Sequence, residues 1–136
     1  MAGWKDFREI VAWQLAQQVK QRVYAFAEQP KIQKKFAFRD QLTEAARSAP
    51  ANIAEGFGRF GNKEFARFAR IAKASEIEVL NHLIDARDQR LLTDDQLAIE
   101  EHYVRRALKA IVGLIHHLES TPDPPNLPRK KRTGNP

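Results

Sequence analysis

The residues of this chain best suited to metal ligation or acid–base chemistry are its four histidines, His82, His102, His116 and His117; there is no cysteine. None of the four stands three residues after a glutamate, so the Glu-x-x-His pair with which helical bundles hold two metal ions is absent. On a helix the adjacent His116 and His117 point about 100° apart and do not readily share one ion. Glu78 and His82 lie one turn apart and suit an ion pair. No nucleophile elbow, phosphate loop or zinc-ligand spacing is present. The run from Gly56 through Gly58 to Gly61 follows a helical pattern rather than a strand, so it reads as a helix-ending turn and not as a dinucleotide loop. The expectation is a protein that is not an enzyme, with no catalytic residue, no metal and no cofactor.

The cations carry more information. At about 100° per residue, Lys63, Arg67, Arg70 and Lys73 share an arc opposite Phe65, Phe68 and Ala72. Cations at a helix start oppose its dipole. Two other helical stretches obey that rule: Asp6 and Glu9 precede Lys20 and Arg22, and Asp94 and Asp95 precede Arg105, Arg106 and Lys109. The exception points to a task elsewhere. One reading is phosphate contact by this arc and Arg59, assisted by the tail cations Arg129, Lys130, Lys131 and Arg132. A second lets the basic start meet the acidic remainder, Glu76, Glu78, Asp85 and Asp88, across a head-to-tail subunit contact that closes a ring. A solvated face is the third. For the tail, flexible cations raise non-specific nucleic-acid affinity, and simple solubilisation is the alternative.

A second unusual stretch runs Ser48-Ala49-Pro50-Ala51-Asn52-Ile53-Ala54-Glu55-Gly56. It puts a proline inside a helical pattern with polar residues at spacings of three and four. Pro50 should displace the Ala46 carbonyl and bend or restart the helix. Ser48 and Asn52 flank that point and suit the freed backbone groups. Glu55 and Arg59 are one turn apart, placed for a bidentate pair. Ser48, Pro50, Asn52, Glu55, Gly56 and Gly58 are taken as a structural motif, with a binding site as the alternative.

Four helical segments must position these residues. Ala12, Ala16, Val19, Val23 and Phe26 give one face of a first helix over 6–27, closed by Pro30. Phe38, Leu42, Ala45 and Ala46 give a second over 35–55. The third begins at Asn62, a suitable N-cap, and repeats Phe65, Phe68, Ala72, Ser75, Val79, Leu83 and Ala86 at near-heptad spacing. The fourth opens on Thr93 with Gln96 three residues later, a capping box, and its core face is Leu97, Val104, Ala107 or Leu108, Ile111, Leu114 or Ile115, and Leu118. Short connections between long helices predict antiparallel neighbours. The expected fold is an all-α, up-and-down four-helix bundle over 1–120, with a Pro-rich, basic, disordered tail over 121–136.

Composition agrees with that plan. The chain has 136 residues, 43% hydrophobic, enough for one domain with a core. Its formal net charge of +6 divides equally between tail and body, a mild bias toward polyanionic partners. The absence of cysteine fits a reducing compartment. With no signal-like start and no apolar run of spanning length, the expectation is a soluble, cytoplasmic protein without a membrane role.

Three stretches in order, Phe7-Arg8-Glu9-Ile10-Val11-Ala12-Trp13-Gln14, the stretch from Ser48 to Arg59, and Glu64-Phe65 with Ile71-Ala72-Lys73-Ala74-Ser75, carry a resemblance. The chain resembles the bacterial four-helix-bundle family encoded in intervening sequences of large-subunit ribosomal RNA genes. The accessory protein of diversity-generating retroelements is similar to that family in fold. The resemblance implies a homo-oligomer, a barrel-like homopentamer in known relatives. It also implies RNA or DNA binding in basic members, a reverse transcriptase as one type of protein partner, and no enzymatic activity. Where relatives often carry glycine before the serine, this chain has Ala74; Glu76 and Ile77 stand where small apolar residues are usual.

Overall fold

The computed structural model describes residues 3–123 and 125. Four long helices, α1 (Val11–Ala27), α3 (Phe36–Phe57), α4 (Asn62–Asp88) and α5 (Asp94–Glu119), are joined by short connections, one of which holds the single-turn α2 (Pro30–Gln33). Helix α1 packs on α3 and α5, and α4 packs on the same two, so the helices form a square in the order α1, α3, α4, α5. The apolar positions expected at helical spacing line its interior. Ala16, Leu42, Ala72, Val79, Ala107 and Ile111 are all fully enclosed.

The interior has two apolar clusters stacked along the bundle axis. One gathers Val19, Val23, Leu42, Leu83 and Val104 toward the α1–α3 and α4–α5 connections. The other gathers Ile10, Ala12, Ile53, Phe65 and Leu118 toward the α3–α4 turn. Trp4 closes that second end, edge-on to Phe65 and His117 with centroids 6.3 and 5.9 Å away.

Several boundaries differ from the sequence expectation, each for a local reason. Asp6 and Glu9, expected in the first helix, instead form a capping box that opens a 3-10 turn at Phe7–Glu9. Ile10 is then extended, with its side chain buried, and α1 begins at Val11. Pro30 does not close α1, which ends at Ala27; it occupies the first turn of α2, where a missing N–H costs nothing. Helix α3 runs unbroken through Pro50 to Phe57, so no restart occurs there. Packing of the buried Ala49, Pro50 and Ile53 outweighs the lost backbone bond. The Thr93–Gln96 capping box of α5 forms as expected.

Candidate nucleic-acid interface on helix α4

Helix α4 starts after Gly61, whose φ of 89° belongs to the left-handed region open to glycine. Gly61, not Asn62, is its N-cap, and it offers no side-chain cap. The first amides are served from elsewhere. Asp123, beyond the end of α5, accepts from the Asn62 N–H and, at 3.2 Å, from the Lys63 N–H. The Asn62 side-chain amide donates to the Thr121 carbonyl at 2.8 Å. A carboxylate at a helix start also matches the dipole. Residues 121–123 thus close the α3–α4 end of the bundle.

The expected basic arc lies on the outer face of α4, where Lys63, Arg67, Arg70 and Lys73 are exposed. Three of the five body cations assigned to phosphate contact already have carboxylate partners. Arg67 Nη2 donates to Glu64 Oε1 at 2.7 Å, Arg59 Nη2 donates to Glu55 Oε1 at 2.7 Å, and Arg70 pairs with Glu119. The Arg59–Glu55 contact uses one nitrogen and one oxygen, not the bidentate fork the spacing suggested. The hydrogen bond that Arg67 donates to the Glu64 carboxylate holds its guanidinium above its usual range. Among the described residues Lys63 and Lys73 have no ion-pair partner.

Arg59 and Arg67 both stack on Phe68, with guanidinium carbons 4.8 and 4.5 Å from the ring centroid. Arg59 therefore ties the end of α3 to α4 as much as it presents charge. Phe60, next to Arg59 in the chain, is exposed in the turn. The basic start that breaks the dipole rule is compensated locally by Asp123, Glu64 and Glu119, carboxylates from three places in the chain. The parts played by Glu119 and Asp123, far from α4 in the chain, are not legible in the sequence. The tail cations Arg129, Lys130, Lys131 and Arg132 lie outside the described residues.

The stretch from Ser48 to Gly58 is a helix–helix seam. Ser75 of α4 donates its hydroxyl to Ser48 Oγ of α3 at 2.8 Å, and the Asn52 amide reaches both the Ser48 carbonyl and Ser48 Oγ, at 2.8 and 3.0 Å. Asn52 thus bonds Ser48 rather than the Ala46 carbonyl that Pro50 leaves without a donor. Gly56 lets Phe65 and Phe68 approach α3. Gly58 caps α3 with its N–H on the Ala54 and Glu55 carbonyls.

Next to this seam stands a residue the sequence reading misplaced. Glu76 is expected in the acidic outer half of α4, but it is 0% exposed, and among the described residues neither carboxylate oxygen has a hydrogen-bond partner. Burial raises it to about 8, so near neutrality it is held largely as the acid. The sequence did carry the signal: position 76 falls one turn after Ala72, at the edge of the arc of Ala72, Val79 and Leu83.

No group of three or more His, Asp or Glu residues among those described is placed to hold a metal ion. His82 lies 3.2 Å from Glu78, as their spacing suggested, and His117 packs on Trp4. No helix among the described residues is long and apolar enough to cross a membrane.

The seam and the termini of the helices come from the stretches on which the family resemblance rests. The model of the 23S rRNA-intervening sequence protein family matches residues 8–113. The chain belongs to this family. The match spans α1 through most of α5, so the seam, the buried Glu76 and the basic start of α4 lie within the part that this intervening sequence protein shares with the family model. No curated protein matches the chain.

Proposed function

We propose that this intervening sequence protein is a non-catalytic, cytoplasmic bundle that assembles into a ring and binds nucleic acid or a ribonucleoprotein through the basic surface of α4. The ring is a pentamer by its likeness to known relatives. The observation that carries the reading is the order of side chains along the outer face of α4. Exposed Lys63, Arg67, Arg70 and Lys73 come first, with Ile71 among them at 38% exposure; Ile77 follows at 50%, and Glu78, Asp85 and Asp88 end it. The paired arginines remain available, because exposed ion pairs contribute only about 0–1 kcal/mol and a phosphate can replace the carboxylate at small cost. The exposed isoleucines supply apolar area for contact between copies.

The same stripe supports a second reading, a scaffold that binds a protein. Its basic and acidic halves are complementary and suit contact between subunits rather than with phosphate.

Reversing Arg67 and Arg70 to Glu separates the two. Anisotropy of labelled structured RNA and duplex DNA across a salt series is read beside mass by light scattering, with residues 121–136 present and with 126–136 removed. Phosphate contact predicts lost binding at unchanged mass, and a log–log salt slope of about −0.9 per contact on duplex DNA. A fall in mass with unchanged binding assigns the arginines to the subunit contact. A monomeric mass for the wild type at micromolar concentration rejects the ring.

A further inference from the structure

Among the described residues the most exposed large apolar side chain lies at the other end of the bundle from the start of α4. Phe36, the first residue of α3, is 73% exposed. It follows Lys31, Lys34 and Lys35, all exposed. From Lys31 to Arg39 the chain carries four cations and no carboxylate. Among the described residues none of the three lysines has an ion-pair partner, in contrast to Arg59, Arg67 and Arg70. Arg39 is the one member of the run with a partner, Asp40 at 3.7 Å.

The corner is held in place. Pro30 sets the first turn of α2, and Ile32, 0% exposed, anchors that turn in the core. With Ile32 turned inward, the lysines stay outward and the ring of Phe36 stands alone in solvent. An exposed phenyl ring costs free energy that burial in the nearby core would recover. Its surroundings name what would cover it. A single ring offers one flat apolar face, too little for an amphipathic surface to enter a bilayer. Three unneutralised ammonium groups beside one ring match a chain of phosphates bearing unpaired, stackable bases.

We infer that the α2–α3 corner, Lys31, Lys34, Lys35 and Phe36, is a binding site for single-stranded nucleic acid, with an unpaired base on the Phe36 ring and phosphates on the lysines. The site shares the polyanion partner of the preceding reading but none of its residues. It lies about 20–30 Å away along α3, since Ser75 of α4 meets Ser48 of α3. Duplex is excluded from the aromatic contact because its bases are already stacked on one another.

The test compares a labelled 20-nucleotide oligouridylate with a 20-base-pair duplex, by anisotropy across a salt series. The proteins are the full chain, Phe36→Ala, a Lys31→Ala/Lys34→Ala/Lys35→Ala triple variant, and Arg67→Glu/Arg70→Glu. Circular dichroism and light scattering are read on each. Phe36→Ala is expected to weaken single-strand binding about tenfold, with salt slope and duplex binding unchanged. The triple variant is expected to flatten the single-strand salt slope by about 2. Retained single-strand affinity in both corner variants overturns the inference, and if Arg67→Glu/Arg70→Glu alone abolishes binding, the α4 reading survives it. Single-strand binding lost with the corner and kept without the α4 arginines upholds the inference, and loss of duplex binding in Arg67→Glu/Arg70→Glu then decides the α4 reading separately. A smaller mass for Phe36→Ala overturns it in favour of a contact between copies. Capture on phosphatidylserine vesicles, with no oligouridylate binding, overturns it in favour of a membrane surface.

Discussion

Gly56 on α3 faces Phe65 on α4 so closely that a Cβ on the glycine would lie 2.7 Å from Phe65 Cδ1 and 2.8 Å from Phe68 Cβ. The second of these atoms is fixed to the α4 backbone, so a methyl group there has to push the two helices apart. Gly56→Ala is expected to destabilise the fold by about 1–3 kcal/mol, as overpacking does. Gly58→Ala is the control. Its added Cβ meets only backbone carbonyl oxygens, the nearer at 3.5 Å, and its φ is −77°. Urea unfolding of both variants checks the contrast, and equal losses would refute it.

Asp123 supplies the cap that α4 lacks in its own sequence. Asp123→Ala leaves the Asn62 and Lys63 amides without their acceptor. The expected loss is about 0.5–2 kcal/mol, the usual range for an N-cap. Hydrogen exchange should rise first at those amides. Unchanged exchange at Asn62 and Lys63 would count against the cap.

Glu76 makes stability fall as pH rises. Its ordinary value is 4.5, and burial raises it to about 8. Below the lower value the folded and unfolded chains are both protonated and the group is neutral in its effect. Between the two, the unfolded chain releases the proton and the folded chain keeps it. This group alone then lowers stability by about 1.4 kcal/mol per pH unit. Above the higher value the loss is complete. Glu76→Gln removes the slope, so its advantage over wild type in urea midpoint should grow from pH 5 to pH 8. A constant difference would show that Glu76 is not protonated in the fold.

Arg22 and Glu100 join α1 to α5 through two bonds of 2.7 and 2.9 Å, with the guanidinium 4.1 Å from the Tyr103 ring centroid. The pair is only partly exposed, and the ring fixes one partner. A double-mutant cycle with Arg22→Ala and Glu100→Ala is expected to give a coupling of about 1 kcal/mol, above that of an open surface pair. The Arg105–Glu101 pair on α5 is the surface comparison, expected near a few tenths.

Much of the fold was legible because helix periodicity is local. Ala12 to Phe26, Phe65 to Ala86 and Leu97 to Leu118 each announced a buried face by spacing alone, and each is buried. The Thr93–Gln96 box was legible for the same reason: both partners lie within one turn. The candidate interface was legible as a set of cations but not as a set of pairs. Arg67 meets a neighbour three residues away, whereas Arg70 meets Glu119 and the α4 amides meet Asp123, residues brought close only by the return of α5.

By itself the sequence determined the helices, their inward faces, the family and the stock of charge, because each depends on residues a few positions apart. Tertiary structure alone decided which charges are spent. It set Glu119 and Asp123 against the start of α4 and left Lys31, Lys34, Lys35 and Phe36 uncovered. The physical reason is that burial and ion pairing act through space at a few ångströms, and four antiparallel helices bring together residues dozens of positions apart in the chain.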